Sequence, residues 1–113
     1  MAASNPFYDS AGAAPAAGVS TDLYTVPTGY RAILSVFFCN RGAATTIRCV
    51  IAPNGAATAN SQYIYYDTTL PANDTLAEKR ICLTQGTVLR GQAASADVSI
   101  NVIVEELHQL ANV

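Results

Sequence analysis

Few residues in this sequence could support catalysis. His108 is the only histidine, and it follows the last predicted strand. A Ser-His-Asp or Cys-His relay needs a base held rigidly beside its nucleophile. A zinc site draws on several closely spaced cysteines and histidines. The sequence therefore predicts a protein that is not an enzyme and that holds no metal ion or cofactor.

The acidic residues offer a weak route to glycoside hydrolysis, which needs two carboxyl groups across a groove. Most of them lie at predicted turns or strand ends, where Asp caps loops through its side chain. Capping is the interpretation that we favour. The eight acidic residues are Asp9, Asp22, Asp67, Asp74, Asp97, Glu78, Glu105 and Glu106.

The three cysteines are too far apart for a CxxC motif, and an odd number cannot pair completely within one chain. Strand alternation places Cys49 in the core, and Cys39 and Cys82 on outward faces. A Cys39–Cys49 bridge would need a strand register that contradicts these faces. Two interpretations stay open: reduced thiols that act as small hydrophobes, or a crosslink between subunits through Cys39 or Cys82 outside the cell.

Three tyrosines cluster in the segment SQYIYYD at 61–67. Strict alternation puts Tyr63 and Tyr65 on one face, with Ile64 and Tyr66 on the other. Exposed tyrosines are frequent in binding surfaces because they bring contact area at low entropic cost. They also pack at the rim of a core. Packing is the interpretation that we favour, and Tyr63 and Tyr65 are the alternative, a candidate ligand surface for which a host glycan is one class of ligand.

The composition limits the partners. Half of the residues are hydrophobic and 12% are charged, against about 25% charged in an ordinary soluble domain, so we expect other copies or partners to cover part of the outside. The net charge of −2 comes without a basic stripe, which argues against nucleic acid. No apolar run approaches the roughly 20 residues of a membrane helix. The start MAASNPFYDS lacks the features of a secretion signal, which favours folding in a reducing cytoplasm.

From residue 21 onward the chain alternates short apolar strands with turns. About seven strands at this spacing predict an all-β protein, an antiparallel β-sandwich of the jelly-roll or Ig-like kind. Residues 21–113 form this domain. The predicted core residues are Leu34, Val36, Phe38, Ile47, Cys49, Ile51, Ile100, Val102 and Val104.

The segment DLYTVPTGY at 22–30 looks like an interrupted strand. Pro27 has no N–H to donate and disfavours helix at Val26, and Gly29 permits the positive φ of a tight turn. We interpret the segment as a structural corner between a short first strand and a long core strand.

Residues 1–20 are rich in Ala, Gly, Ser and Pro, and Pro6, Gly12, Pro15 and Gly18 interrupt any helix. A loose terminus is one interpretation. We favour an extended N-terminal arm that lies on a neighbouring subunit, anchored by Phe7 and Tyr8.

The second faces of the strands also carry apolar residues. If alternation holds, Ile33, Phe37, Val50 and Ile103 point away from the core and form one apolar patch. Such patches usually mark interfaces. The sequence thus predicts assembly through these four residues.

Three strings carry a resemblance to a known class of proteins: LYTVPTGYRAILSVFFCNRG, YIYYDTTLPANDTLAEKRICLTQGTVLRG and SADVSINVIVEE. They contain an LYTVP-x-G corner, an N-x-G turn, a P-x-x-D-T strand entry and an L-x-x-G segment before a final alternating strand. Over about residues 22 to 105 the chain resembles small β-sandwich virion proteins of tailed bacteriophages.

The resemblance implies a structural component of the virion that is made in the host cytoplasm. It implies homo-oligomers in contact with other virion proteins, in the tail, fibre or neck, or else as decoration of the head. It transfers no active site. A receptor- or glycan-binding module at a fibre tip is the alternative that the tyrosines favour.

Overall fold

The computed structural model describes residues 9–108, which form eight β-strands in two four-stranded antiparallel sheets. No α-helix occurs in this range, so the prediction of an all-β antiparallel sandwich is confirmed. The strands are β1 (Asp9–Ala13), β2 (Thr21–Thr25), β3 (Tyr30–Asn40), β4 (Thr45–Ala52), β5 (Tyr63–Leu70), β6 (Thr75–Leu83), β7 (Val88–Ala93) and β8 (Val98–His108).

The strand order selects the jelly roll from the two predicted alternatives. Sheet A has the order β1-β8-β3-β6, and sheet B has the order β2-β7-β4-β5. Strand β1 therefore pairs with β8, β2 with β7, β3 with β6, and β4 with β5. The chain is one long hairpin whose successive pairs alternate between the sheets, which is the arrangement of an eight-stranded jelly roll.

The eighth strand lies in the segment predicted to be an arm. Residues 9–13 pair with β8, from Asp9 opposite Val104 to Ala13 opposite Ile100, and Pro15 is buried. The arm prediction is wrong for these residues, because they pair with a strand of their own chain. The sequence did not reveal this edge strand, since a strand rich in Ala, Gly and Ser is held by backbone hydrogen bonds and shows no apolar alternation. The sandwich thus begins before residue 21. Phe7 and Tyr8 lie outside the described residues.

The core lies between the sheets and follows the predicted alternation. The predicted core residues are buried, except that Ile51 is half-buried. The buried set also includes Val98 at the start of β8 and Leu89 on β7. The long strands β3 and β8 pair over their whole length, from Tyr30 opposite His108 to Asn40 opposite Val98.

The corner at residues 26–30 carries the chain from sheet B to sheet A. Gly29 has a φ of 84°, and the Tyr30 N–H donates to the Pro27 carbonyl at 3.1 Å. Buried Val26 is fixed from both sides, because its N–H donates to the Thr87 carbonyl and its carbonyl accepts from Gly86. The interrupted strand is a corner, as predicted.

Asn40 ties together two turns at the other end of β3. Its two side-chain N–H groups are shared among the carbonyls of Ala43, Leu70 and Pro71, at 2.8, 3.2 and 3.1 Å from the nitrogen, and its side-chain oxygen accepts from Gly42 at 2.9 Å. A residue that is 1% exposed and fully bonded in this way stabilises the β3–β4 and β5–β6 connections together.

Candidate interaction surfaces

The outer face of sheet A carries a partly apolar surface, which we call the A face: Ile33, Ser35, Phe37, Asn101, Ile103 and Leu107. Ile103 is 55% exposed, and Ile33, Phe37 and Leu107 are half-buried. Ser35 lies opposite Ile103 and Phe37 lies opposite Asn101, whereas Ile33 lies opposite Glu105 and Leu107 lies opposite Arg31. Three of the four residues predicted for assembly thus share one face.

Val50 does not belong to this surface. It lies on β4 in sheet B and is only 4% exposed, packed in a small cluster with Ala52, Val88 and Tyr63. The connection after β4, with 3₁₀ turns at Pro53–Gly55 and Asn60–Gln62, contacts β4 and β7 beside this cluster. The prediction for Val50 is wrong because a loop of the same chain occupies the position expected for a partner.

A cavity of about 410 Å³ opens at one end of the A face. Ile33, Cys82 and Leu107 are among its lining residues, and Arg31 and Thr84 add polar side chains to the lining. The cavity extends the apolar surface beyond Ile33 to the edge strand β6, because Ile33 lies opposite Cys82.

The three cysteines are free thiols in three environments: Cys49 is buried, Cys39 half-buried and Cys82 exposed. Cys39 lies opposite Thr75 at one end of the β3–β6 pair, and Cys82 lies opposite Ile33 at the other. Burial raises the pKa of the Cys49 thiol to about 12, so this thiol stays protonated and unreactive. Cys82 is the best-placed thiol for a contact with another subunit.

The edge strand β6 is interrupted. Leu34 of β3 lies opposite Ile81 of β6, and Val36 lies opposite Glu78, so β6 has one extra residue between these two pairs. Arg80 takes a φ of 60° there. Bulges and charges on an edge strand hinder open-ended pairing between sheets, so the A face is better suited to contact between copies than this edge.

Bulges in β5 overturn the predicted tyrosine pair. Tyr63 lies opposite Val50 and Thr68 lies opposite Ile47, so five residue steps along β5 match three steps along β4. Asp67, within this part of β5, has a φ of 50°. Tyr63 lies opposite Val50 on the outer side, whereas Tyr65 lies opposite Cys49 and packs against the core. Tyr63 and Tyr65 therefore do not share a face, because the extra residues break the alternation.

Tyr65 closes the side of the sandwich instead. Its ring meets Phe38 edge-on at a centroid distance of 6.2 Å, and its hydroxyl donates to the Glu78 carboxylate at 2.9 Å. Burial and this hydrogen bond raise the pKa of Tyr65 to about 12. Tyr65 thus links strand β5 of sheet B to strand β6 of sheet A, and its role is structural.

Tyr66, in place of Tyr65, lies beside Tyr63 on the outer side of sheet B. The rings of Tyr63 and Tyr66 stand at 83° with centroids 4.8 Å apart, and the Arg48 guanidinium lies 4.2 Å from the centre of the Tyr66 ring. Arg48 also donates to both carboxylate oxygens of Asp67, at 2.7 and 3.2 Å. This hydrogen bonding lowers the pKa of Asp67 and raises that of Arg48.

A second arginine fixes the loop beside these tyrosines. Arg90, whose side chain is 15% exposed, forms an ion pair with Asp22 at 2.8 Å. It also donates to the Ala56 carbonyl at 2.7 Å and to the Thr58 hydroxyl at 3.1 Å. These bonds hold the residue 53–62 connection against sheet B.

Three adjoining depressions run along this side of the molecule, and we call the surface that they form the B trough. Their volumes are about 320, 210 and 310 Å³. Arg48 and Gln92 line the first and the second, and Tyr63 lines the second and the third. The residues that define the trough are Arg48, Tyr63, Tyr66, Asp67, Arg90 and Gln92.

Neither surface presents a catalytic constellation. The His108 ring packs edge-on against Tyr30 at a centroid distance of 5.1 Å. Between residues 9 and 108, no three Cys, His, Asp or Glu side chains come together as a metal-binding group. Within the same range, no helix has the length and apolar character needed to cross a membrane.

Comparisons with known proteins give little further guidance. No protein-family model matches the chain, and the search of curated proteins found no match. Among solved structures, the chain is similar to a chain in the structure of infectious bursal disease virus Gx strain, with a TM-score of 0.43 and 12% sequence identity. The similarity covers 94% of this chain and 30% of that chain. This virus structure is a distant structural neighbour.

Proposed function

We propose that this chain is a non-enzymatic structural protein of a tailed-bacteriophage virion, a jelly-roll module that self-assembles in the tail, fibre or neck. The A face is the observation that carries the proposal. Ile33, Phe37 and Ile103 bring apolar area to the outside of sheet A, where an isolated sandwich would favour polar side chains. Burial of this area against another copy would remove it from water.

Two further observations support the proposal. The jelly roll recurs in viral capsid proteins, although a fold alone does not determine a function. The chain also resembles tailed-phage virion proteins over about residues 22 to 105. The partners are then other copies of the chain and neighbouring virion proteins, after synthesis in the host cytoplasm.

Decoration of the head is an alternative within the same class. In that case the A face would bind the capsid shell, and the isolated chain would stay monomeric until it met the particle. Antibodies raised against the recombinant chain, used for gold labelling of purified particles in electron micrographs, distinguish the sites. Label on the tail, fibre or neck supports the proposal, label over the whole head supports decoration, and unlabelled particles contradict both.

A receptor- or glycan-binding module at a fibre tip is the second candidate function. The specific observation that favours it is the Tyr63–Tyr66 pair in the B trough, on the opposite side of the sandwich from the A face. Tyr66 of this pair is exposed, and Tyr63 is half-buried. The two functions are compatible, because one face could serve assembly and the other could bind a ligand.

A further inference from the structure

We infer that the B trough is a binding site for neutral pyranose sugars, with the Tyr63–Tyr66 pair as its stacking platform. This inference rests on the second candidate function and names its ligand class. It does not depend on assembly through the A face.

The aromatic pair provides a fixed apolar corner. The Tyr63 and Tyr66 rings are nearly perpendicular, at 83°, and the Arg48 guanidinium covers one face of Tyr66. Tyr66 is nevertheless 57% exposed, so much of its ring remains open to solvent. A ring held in this way offers contact area with little loss of side-chain entropy, and it suits the apolar C–H face of a pyranose.

Hydrogen-bonding groups stand directly beside this corner. Arg48 uses two N–H groups on Asp67, out of the five donors of a guanidinium, and each carboxylate oxygen can accept more than one bond. The Gln92 side chain lines the same depressions as Arg48 and adds one amide donor group and one acceptor. Neighbouring sugar hydroxyls both donate and accept, so a mixed set of donors and acceptors matches them.

The balance of charge selects a neutral ligand. Arg48 is paired with Asp67, and Arg90 is paired with Asp22, so each cation of the trough already has its anion. A phosphate, sulfate or carboxylate would lose its hydration without gaining an uncompensated positive charge, which is unfavourable. Neutral sugars avoid this cost.

The size of the trough fits more than one sugar ring. Ligand pockets typically span roughly 300–1,000 Å³, and the depressions at its two ends reach about 320 and 310 Å³. The middle depression, of about 210 Å³, joins them. A short oligosaccharide laid across Arg48 and Tyr63 would contact all three.

Saturation-transfer NMR on the full chain tests this inference, with methyl glucoside, methyl galactoside and N-acetylglucosamine as neutral probes. N-acetylneuraminic acid and methyl phosphate serve as charged probes, since both carry the C–H protons that the method observes. We expect transfer to at least one neutral sugar, strongest at its ring C–H protons. Tyr66→Ala should weaken binding about tenfold or more, because it removes the ring on which the sugar would stack. Ile64→Ala is the matched control, since Ile64 lies on the same strand, is exposed and does not line the trough.

Asp67→Asn gives a second variant that keeps the shape of the side chain and tolerates the positive φ. It should also weaken the neutral sugar, with unchanged circular dichroism. The inference is overturned if none of the neutral probes binds, if only the charged probes bind, or if Tyr66→Ala binds as the wild type does. Light scattering on the same samples reports assembly separately, so failure here is distinguishable from failure of the virion proposal.

Discussion

The phenol of Tyr24 on β2 donates a hydrogen bond to the carboxylate of Glu106 on β8, and this contact joins the two sheets. Glu106 is only 1% exposed. Its second oxygen, Oε1, is buried and has no hydrogen-bond partner among the described residues. A buried carboxyl group without a hydrogen-bond partner destabilises the folded state, so the stability should depend on the Tyr24 hydroxyl.

Tyr24→Phe should destabilise the protein by about 1–3 kcal/mol, because it leaves the Glu106 carboxylate buried without its donor. The double variant Tyr24→Phe, Glu106→Leu should recover most of that loss, because both polar groups are then replaced by apolar ones. Urea unfolding of the wild type, both single variants and the double variant measures the coupling. Additive effects of the two substitutions would contradict the account.

The N-terminal strand gives a second prediction. Deletion of residues 1–13 removes β1 and leaves the edge of β8 unpaired, so we expect the free energy of unfolding to fall by at least about 2 kcal/mol, at roughly 1 kcal/mol net per lost hydrogen bond. Deletion of residues 1–8 is the matched control, since it leaves β1 in place. Thermal and urea unfolding compare the two. Equal stability of both truncated proteins would show that β1 contributes nothing.

The thiols should react in the order of their exposure. Iodoacetamide at mildly alkaline pH should label Cys82 first and Cys49 only after unfolding, because the thiolate is the reactive form and burial holds the pKa of Cys49 at about 12. Peptide mass spectrometry of timed samples gives the rates. Labelling of Cys49 as fast as that of Cys82 in the native protein would contradict the structure.

A crosslink between subunits, one of the two interpretations of the outward cysteines, would use the most exposed thiol. Under oxidising conditions we expect a disulfide-linked dimer on non-reducing gels that Cys82→Ser abolishes. Cys49→Ala serves as the control and should leave the dimer band. A dimer band that persists in Cys82→Ser would assign the crosslink to another thiol.

The parts of the fold that sequence reasoning predicted are those governed by local patterns. The alternation of Val98, Ile100, Val102 and Val104 identifies β8, because one of its faces is the core. Pro27 and Gly29 identify the corner, because each restricts or permits particular backbone angles. The all-β architecture followed from these signals.

The rest depended on contacts between distant segments. Strand β1 was not predicted because its backbone pairing with β8 needs no apolar pattern in the sequence. Tyr66, and not Tyr65, lies on the outer side because bulges shift the alternation. The bulges place Asp67 and Arg80 at positive φ, and neither residue is a glycine, so nothing in the sequence indicated a bulge at these positions. Val50 was misplaced because a loop of the same chain covers it, and only the fold shows where that loop lies.

The measurement that tests the central claim most directly is light scattering after size-exclusion chromatography, on wild type and Phe37→Asp. Phe37 lies on the A face opposite Ala77 and Asn101, so an aspartate there would be hydrated in the monomer but buried without a partner in an interface. Such a charge typically costs about 3–5 kcal/mol. Thr69→Asp is the control, since it adds the same charge at an exposed strand position of sheet B.

We predict that wild type and Thr69→Asp form oligomers of one size, and that Phe37→Asp elutes as a folded monomer of 11.8 kDa. An unchanged oligomer of Phe37→Asp, or a wild type that stays monomeric at every concentration, would contradict assembly through the A face.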